Sequence, residues 1–202
     1  MQWLKRSYES VGLTQYPVGR HLAAVQSQFG GAVVLCLDVS GSMSVESRLE
    51  RAVDGCLRFI DEAVRAGYEV SALLWHHDVA AYTPLSHSAD QAKRLFASAR
   101  AAGGTNVVPA LGVCEGLLQG RKGDLVIAIF GDGDLGNPTS AAQEATRLTE
   151  KDIRVLTCGL GMASAEQLGA ISTEGAAAPR TATADTIADA IADMASGLKR
   201  RN

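Results

Sequence analysis

Residues 38–42 read Asp-Val-Ser-Gly-Ser and follow directly on the apolar run 32–37. One carboxylate and two hydroxyls, from Asp38, Ser40 and Ser42, thus fall within a single short loop at the end of an expected strand. Three hard oxygen donors of this kind suit Mg²⁺ or Mn²⁺ and not a soft metal. Two later segments carry residues that can complete such a site: Gly103-Gly104-Thr105-Asn106, ahead of an amphipathic stretch, and Gly131-Asp132-Gly133-Asp134, after a second apolar run. Taken alone, Asp and Ser are also ordinary turn and cap residues, because their side chains bond to nearby backbone. Gly103 and Gly104 permit a tight turn, Asn106 suits the cap of a following helix, and Asp134 reads as a solvated turn residue. A metal site therefore requires that the three segments meet.

The order of elements supplies a meeting place. Residues 32–39 form a continuous apolar run, as a strand covered on both faces requires. Ser47-Arg-Leu-Glu50 reads as a capping box opening a helix whose apolar face runs Leu49, Ala52, Val53, Cys56, Leu57, Ile60 and Val64, with Gly67 at its end. Residues 70–75 are a second strand, and 79–85 a third that returns as a hairpin and is stopped by Pro84. A helix is expected over 89–100, and another through Val107, Leu111, Cys114 and Leu118 with Pro109 near its start. Strands at 125–130 and 154–158 alternate with helices opened by Ser140-Ala-Ala-Gln143 and Ser164-Ala-Glu-Gln167. A short strand near 180–182 leads into a helix carrying Ile187, Ile191, Met194 and Leu198. This alternation predicts a doubly wound α/β fold: a mainly parallel six-stranded sheet, strand 3 antiparallel, with helices on both faces, and the expected order, one of those common to such sheets, is 3-2-1-4-5-6. Such sheets bind ligands at the carboxyl ends of the strands where the order reverses, between the first and fourth strands. Asp38 ends the first, Asp132 ends the fourth, and Thr105 is expected to open the helix between them.

These residues resemble a von Willebrand factor A domain with a metal-ion-dependent adhesion site. The family pattern is Asp-x-Ser-x-Ser, a threonine in a Gly-rich loop, and an aspartate after the fourth strand, matched by Asp38, Ser40, Ser42, Thr105 and Asp132. The family often has threonine just before the last aspartate, whereas this chain has Gly131, which removes a hydroxyl and leaves the ligand itself. The resemblance implies a divalent cation held by Ser40 and Ser42 directly, and by Asp38, Thr105 and Asp132 directly or through water. It further implies a protein partner whose Glu or Asp fills the open position, and an adaptor or subunit of a larger assembly, such as an AAA+ ATPase or stress-response complex. It covers residues 32–198, leaving 1–31 as an N-terminal extension, with a helix over 18–29 or an extended arm, and 199–202 as a basic tail.

Other chemistries fit less well. A haloacid-dehalogenase-like phosphohydrolase would use Asp38 as nucleophile, but its acid–base aspartate two residues on is Ser40 here, so no enzyme is expected. A metal-free scaffold is the remaining alternative. His76, His77 and Asp78 offer zinc-type donors, yet neighbouring strand positions point to opposite faces. His77 or Trp75 at the upper rim is a candidate partner contact instead. Gly159-Leu-Gly161 reads as a strand-to-helix turn and not a dinucleotide loop. A net charge of −3 over 202 residues provides no basic field for nucleic acid. No run has the length of a membrane span, no apolar h-region marks a secretory signal, and the four cysteines read as reduced core residues, so a cytoplasmic location is expected.

Overall fold

The computed structural model describes residues 30–173 and 180–198; the expected N-terminal helix or arm and the basic tail lie outside them, apart from Gly30 and Gly31. Six strands form one sheet: β1 Gly31–Asp38, β2 Glu69–Trp75, β3 Val79–Tyr82, β4 Asp124–Gly131, β5 Ile153–Leu160 and β6 Arg180–Ala182. Their order is β3-β2-β1-β4-β5-β6, with only the β2–β3 pair antiparallel. The expected fold class and strand order are therefore observed.

Among the described residues six α-helices cover the sheet: α1 Arg48–Arg65, α2 Asp90–Ala97, α3 Val108–Leu118, α4 Pro138–Thr149, α5 Met162–Gly169 and α6 Ile187–Asp193. All eight residues of β1 are buried because side chains alternate between two apolar layers. Val33, Leu35 and Leu37 pack with Phe59 and Ile60 of α1, Phe96 of α2 and Ile187 and Ile191 of α6. Ala32, Val34 and Cys36 pack with Leu111 and Cys114 of α3, Leu148 of α4 and Leu168 of α5. The four cysteines are free and buried, two on strands and two on helices as expected, with the sulfurs of Cys36 and Cys114 3.3 Å apart.

Local details depart from expectation where tertiary contacts override them. The buried stripe of α1 is Ala52, Gly55, Cys56, Phe59, Ile60 and Ala63, rotated from the expected face so that Leu49, Val53, Leu57 and Val64 are only partly buried. Gly55 sits under α6, where a Cβ would come within 2.8 Å of the Ala188 carbonyl oxygen and the Ile191 Cβ. Ser47 makes no capping box: it adopts φ 56° with no side-chain cap bond, because a 3₁₀ turn over Gly41–Ser47 already supplies carbonyls of Met43 and Val45 to the Arg48 amide. Helix α4 begins at Pro138 and not at Ser140; Asn137 caps it, accepting from the Ser140 amide at 3.0 Å. Strand β3 ends at Tyr82, although Ser86 still exchanges two backbone hydrogen bonds with Val70 beyond the donor-less Pro84. Helix α2 is shorter than 89–100.

Candidate metal centre

The sheet places the three oxygen-bearing loops at its carboxyl edge. Asp38 is the last residue of β1 and is fully buried, and Ser40 is 1 % exposed. The chain turns so that the Ser40 amide donates to Asp38 Oδ1 at 2.7 Å, and the Ser40 and Ser42 hydroxyls lie 3.0 Å apart. Ser42 faces solvent. Three of the five expected ligands thus share one tight turn, with hydroxyl oxygens directed at one another.

The second loop is stitched to the first through backbone. Gly41 N–H donates to the Gly103 carbonyl at 3.1 Å, and Ala102 N–H to the Val39 carbonyl at 2.8 Å. Asn106 N–H reaches the His76 carbonyl at 2.8 Å, and Val107 N–H the Leu135 carbonyl at 3.3 Å. Thr105 is therefore clamped between the β1 and β2 ends and the loop after β4. It does not open helix α3, which starts three residues later with Asn106 Oδ1 accepting from the Val108 amide at 3.3 Å. The Thr105 hydroxyl makes no hydrogen bond among the described residues.

Asp132 follows β4, half-exposed, next to Asp38. Its backbone is fixed by Ser164 of α5, whose hydroxyl donates to the Asp132 carbonyl instead of capping its own helix. Gly133, at φ 100°, has no room for a side chain, since a Cβ would fall 2.3 Å from Ser164 Cα. Ser164 is a positioning contact that the capping pattern concealed: helix α5 starts at Met162, which leaves Ser164 inside the first turn, facing the loop. Asp134 is the turn residue expected, its Oδ1 accepting from the Gly136 amide at 2.8 Å.

Electrostatics single out Asp38. Burial pushes its carboxyl up to about 7, the nearby Asp132 charge adds to this, and the amide and hydroxyl of Ser40 and the amide of Asp132 pull the other way. Its Oδ2 is buried with no hydrogen-bond partner. An orphaned, desolvated carboxylate oxygen beside two hydroxyls, with a second carboxylate adjacent, is the donor set a small hard cation satisfies. Among the described residues no three of His, Cys, Asp and Glu gather.

The histidines need a correction. His76 and His77 lie in the turn after β2, where strand alternation does not apply, and their rings stack with centroids 4.4 Å apart and planes 11° from parallel. His76 Nδ1 accepts from the Asp78 amide at 3.1 Å, and His77 packs on Gly103, where a Cβ would be 2.8 Å from its Nδ1. Trp75 is no rim residue either: its side chain is fully buried, pointing into the layer beneath the Thr105 loop. Gly161, at φ 82°, forms the expected turn from β5 into α5.

A doubly wound sheet with an oxygen-rich loop cluster at its switch point defines a class of α/β binding domain. Residues 33–134 match the von Willebrand factor type A domain, and the chain belongs to that family, whose fold serves often in protein-interaction and adhesion modules. Among solved structures, the vWF domain of the type V pili tip protein Mfa5 from Porphyromonas gingivalis is similar at a TM-score of 0.73 and 12% identity, covering 87% of this chain and 98% of that one. The conserved hypothetical protein BatB from Bacteroides thetaiotaomicron is similar at a TM-score of 0.66 and 20% identity, covering 83% and 100%. The pilus adhesin SpaC from Lactobacillus rhamnosus GG gives a TM-score of 0.68 at 15% identity, covering 83% of this chain and 30% of that one. No curated protein matches the chain in sequence. Among the described residues no helix is long and apolar enough to cross a membrane.

Proposed function

We propose that this domain is a divalent-cation-dependent protein-binding module in which a partner's carboxylate docks at the Asp38 loop. The observation that carries this reading is the buried, unpartnered Asp38 Oδ2 beside the Ser40 and Ser42 hydroxyls. Ser40 and Ser42 would hold Mg²⁺ or Mn²⁺ directly, and Asp38, Thr105 and Asp132 directly or through water. When bound, the ion supplies an electrophilic open position to an acidic side chain from outside. The residues themselves do the rest: Asp38 and Asp132 bring the negative charge, the Ser40 amide orients Asp38, and the exposed Ser42 marks the side from which a partner approaches. The low local dielectric strengthens the attraction between partner acid and cation relative to water.

The module is a binder and not a phosphohydrolase in this reading, because Ser40 occupies the position that such an enzyme gives to a proton-shuttling carboxylate and its hydroxyl faces Ser42. An adaptor or subunit role in a cytoplasmic assembly accords with four buried free thiols. Isothermal titration of Mg²⁺ into wild type, Asp38→Ala and Thr105→Ala, paired with capture of partners from the native cell with and without EDTA, tests it. Mg²⁺ uptake weakened in both variants is the expected result; equal uptake in all three proteins refutes the cation. Turnover of a generic phosphate ester that Asp38→Asn abolishes would favour the enzyme instead.

A further inference from the structure

We propose that Trp75 is a positioning residue for Asp38, its indole N–H reaching the carboxylate through one bridging water held over Gly131. Asp38 is the register partner of Trp75 across the β1–β2 pair, and the β1–β4 register, which matches Leu37 with Phe130, brings Gly131 alongside on the other flank. The three positions form one row on one face of the sheet. The Trp75 side chain is fully buried, and its Nε1, like Asp38 Oδ2, has no hydrogen-bond partner among the described residues.

Both orphaned groups border the same glycine. A Cβ at position 131 would lie 3.0 Å from Asp38 Oδ2 and 3.4 Å from Trp75 Cζ2, which is on the same edge of the indole as the N–H. The indole edge and the carboxylate thus border the space that glycine leaves open at 131. Two buried polar groups left without partners are costly, and a single ordered water that accepts from Nε1–H and donates to Oδ2 satisfies both. Indole nitrogen is a donor only and cannot ligate a cation, so it acts through Asp38. Oδ2 carries two lone pairs; the water engages one and holds the carboxylate in a fixed orientation, leaving the other open. A side chain at 131 would crowd the Asp38 carboxylate and compete with the water for this space. The affinity arm of the test below rests on the cation reading, and the water arm does not.

Trp3 and Trp75 are the two tryptophans of the chain, so Trp3→Phe leaves one indole resonance. In EDTA, a rotating-frame NMR experiment on that protein should give a cross-peak between Trp75 Hε1 and water with the sign of dipolar contact and not of exchange; its absence overturns the bridge. Incorporating benzothienylalanine at position 75 replaces only the N–H with sulfur and keeps the ring shape. That protein should still unfold cooperatively in EDTA, showing an intact fold, yet bind Mg²⁺ roughly tenfold more weakly, as loss of an outer partner of a metal ligand does. An unaltered Mg²⁺ affinity overturns the positioning role, whereas wild type that takes up no Mg²⁺ refutes the cation reading and leaves the water cross-peak to decide the bridge.

Discussion

Replacing Asp38 with asparagine removes a carboxyl group that the fold keeps neutral far above its usual range. In the unfolded chain Asp38 ionises near 3.8, and in the folded domain at about 7, chiefly because burial penalises the charge. The raised value sets the sign. Between these two pH values the folded state holds a proton that the unfolded state has released, so rising pH favours unfolding. The stabilisation is fully present below pH 3.8 and is lost as pH climbs through about 7. The difference corresponds to about 4 kcal/mol. An asparagine at this position has nothing to titrate. Urea unfolding in EDTA should therefore find the stability difference between wild type and Asp38→Asn moving by about 4 kcal/mol in favour of the variant from about pH 4 to about pH 8. Added Mg²⁺ binds the ionised carboxylate and should restore the wild type at the upper pH by about 2.7 kcal/mol at a hundredfold excess over its Kd, with no gain for the variant. Parallel pH profiles for the two proteins would refute the claim that Asp38 is the desolvated group, and equal response to Mg²⁺ would refute its role as ligand.

Gly131→Ala should destabilise the domain by about 1–3 kcal/mol, read as a lowered Tm, because its Cβ meets the Asp38 carboxylate and the indole of Trp75 in a close-packed layer. Gly55→Ala should cost a similar ~1–3 kcal/mol by forcing α6 away from α1, and should leave Mg²⁺ uptake as in wild type. Asn137→Ala removes the cap of α4 and should lower stability by about 1 kcal/mol in urea titration. Thr105→Ala should change stability by less than about 0.5 kcal/mol, since its hydroxyl bonds to no described residue, while weakening Mg²⁺ binding in calorimetry.

The sheet was legible from residue patterns because strands buried on both faces must be apolar throughout. The runs ending at Asp38, Trp75 and Phe130 cannot be accommodated otherwise. Alternation of elements fixes a mainly parallel sheet but not its strand order; the order 3-2-1-4-5-6, one of the common arrangements, is the one observed, and it makes the Asp38 and Asp132 loops adjacent. Helix starts were less legible. Ser47, Ser140 and Ser164 carry the same local signature, yet none caps a helix: a 3₁₀ turn runs into α1 at Ser47, Asn137 caps α4 ahead of Ser140, and the Ser164 hydroxyl is turned to another loop. Its partner there is the Asp132 carbonyl, thirty-two residues away in the chain.

Asp38, Ser40 and Ser42 are thus nominated by residue type and spacing, since a hard-oxygen donor set is a property of the side chains, and Thr105 and Asp132 join them through the family resemblance. Burial is a property of the packing around them. The tertiary structure alone decided that Asp38 lies wholly out of water, that Trp75 turns inward beside it and not outward to a partner, and that a side chain at Gly131 would meet the Asp38 carboxylate at 3.0 Å. Side-chain chemistry is written locally, whereas the dielectric and the space around each group come from residues distant in sequence, and these set how strongly the Asp38 carboxylate resists its own charge.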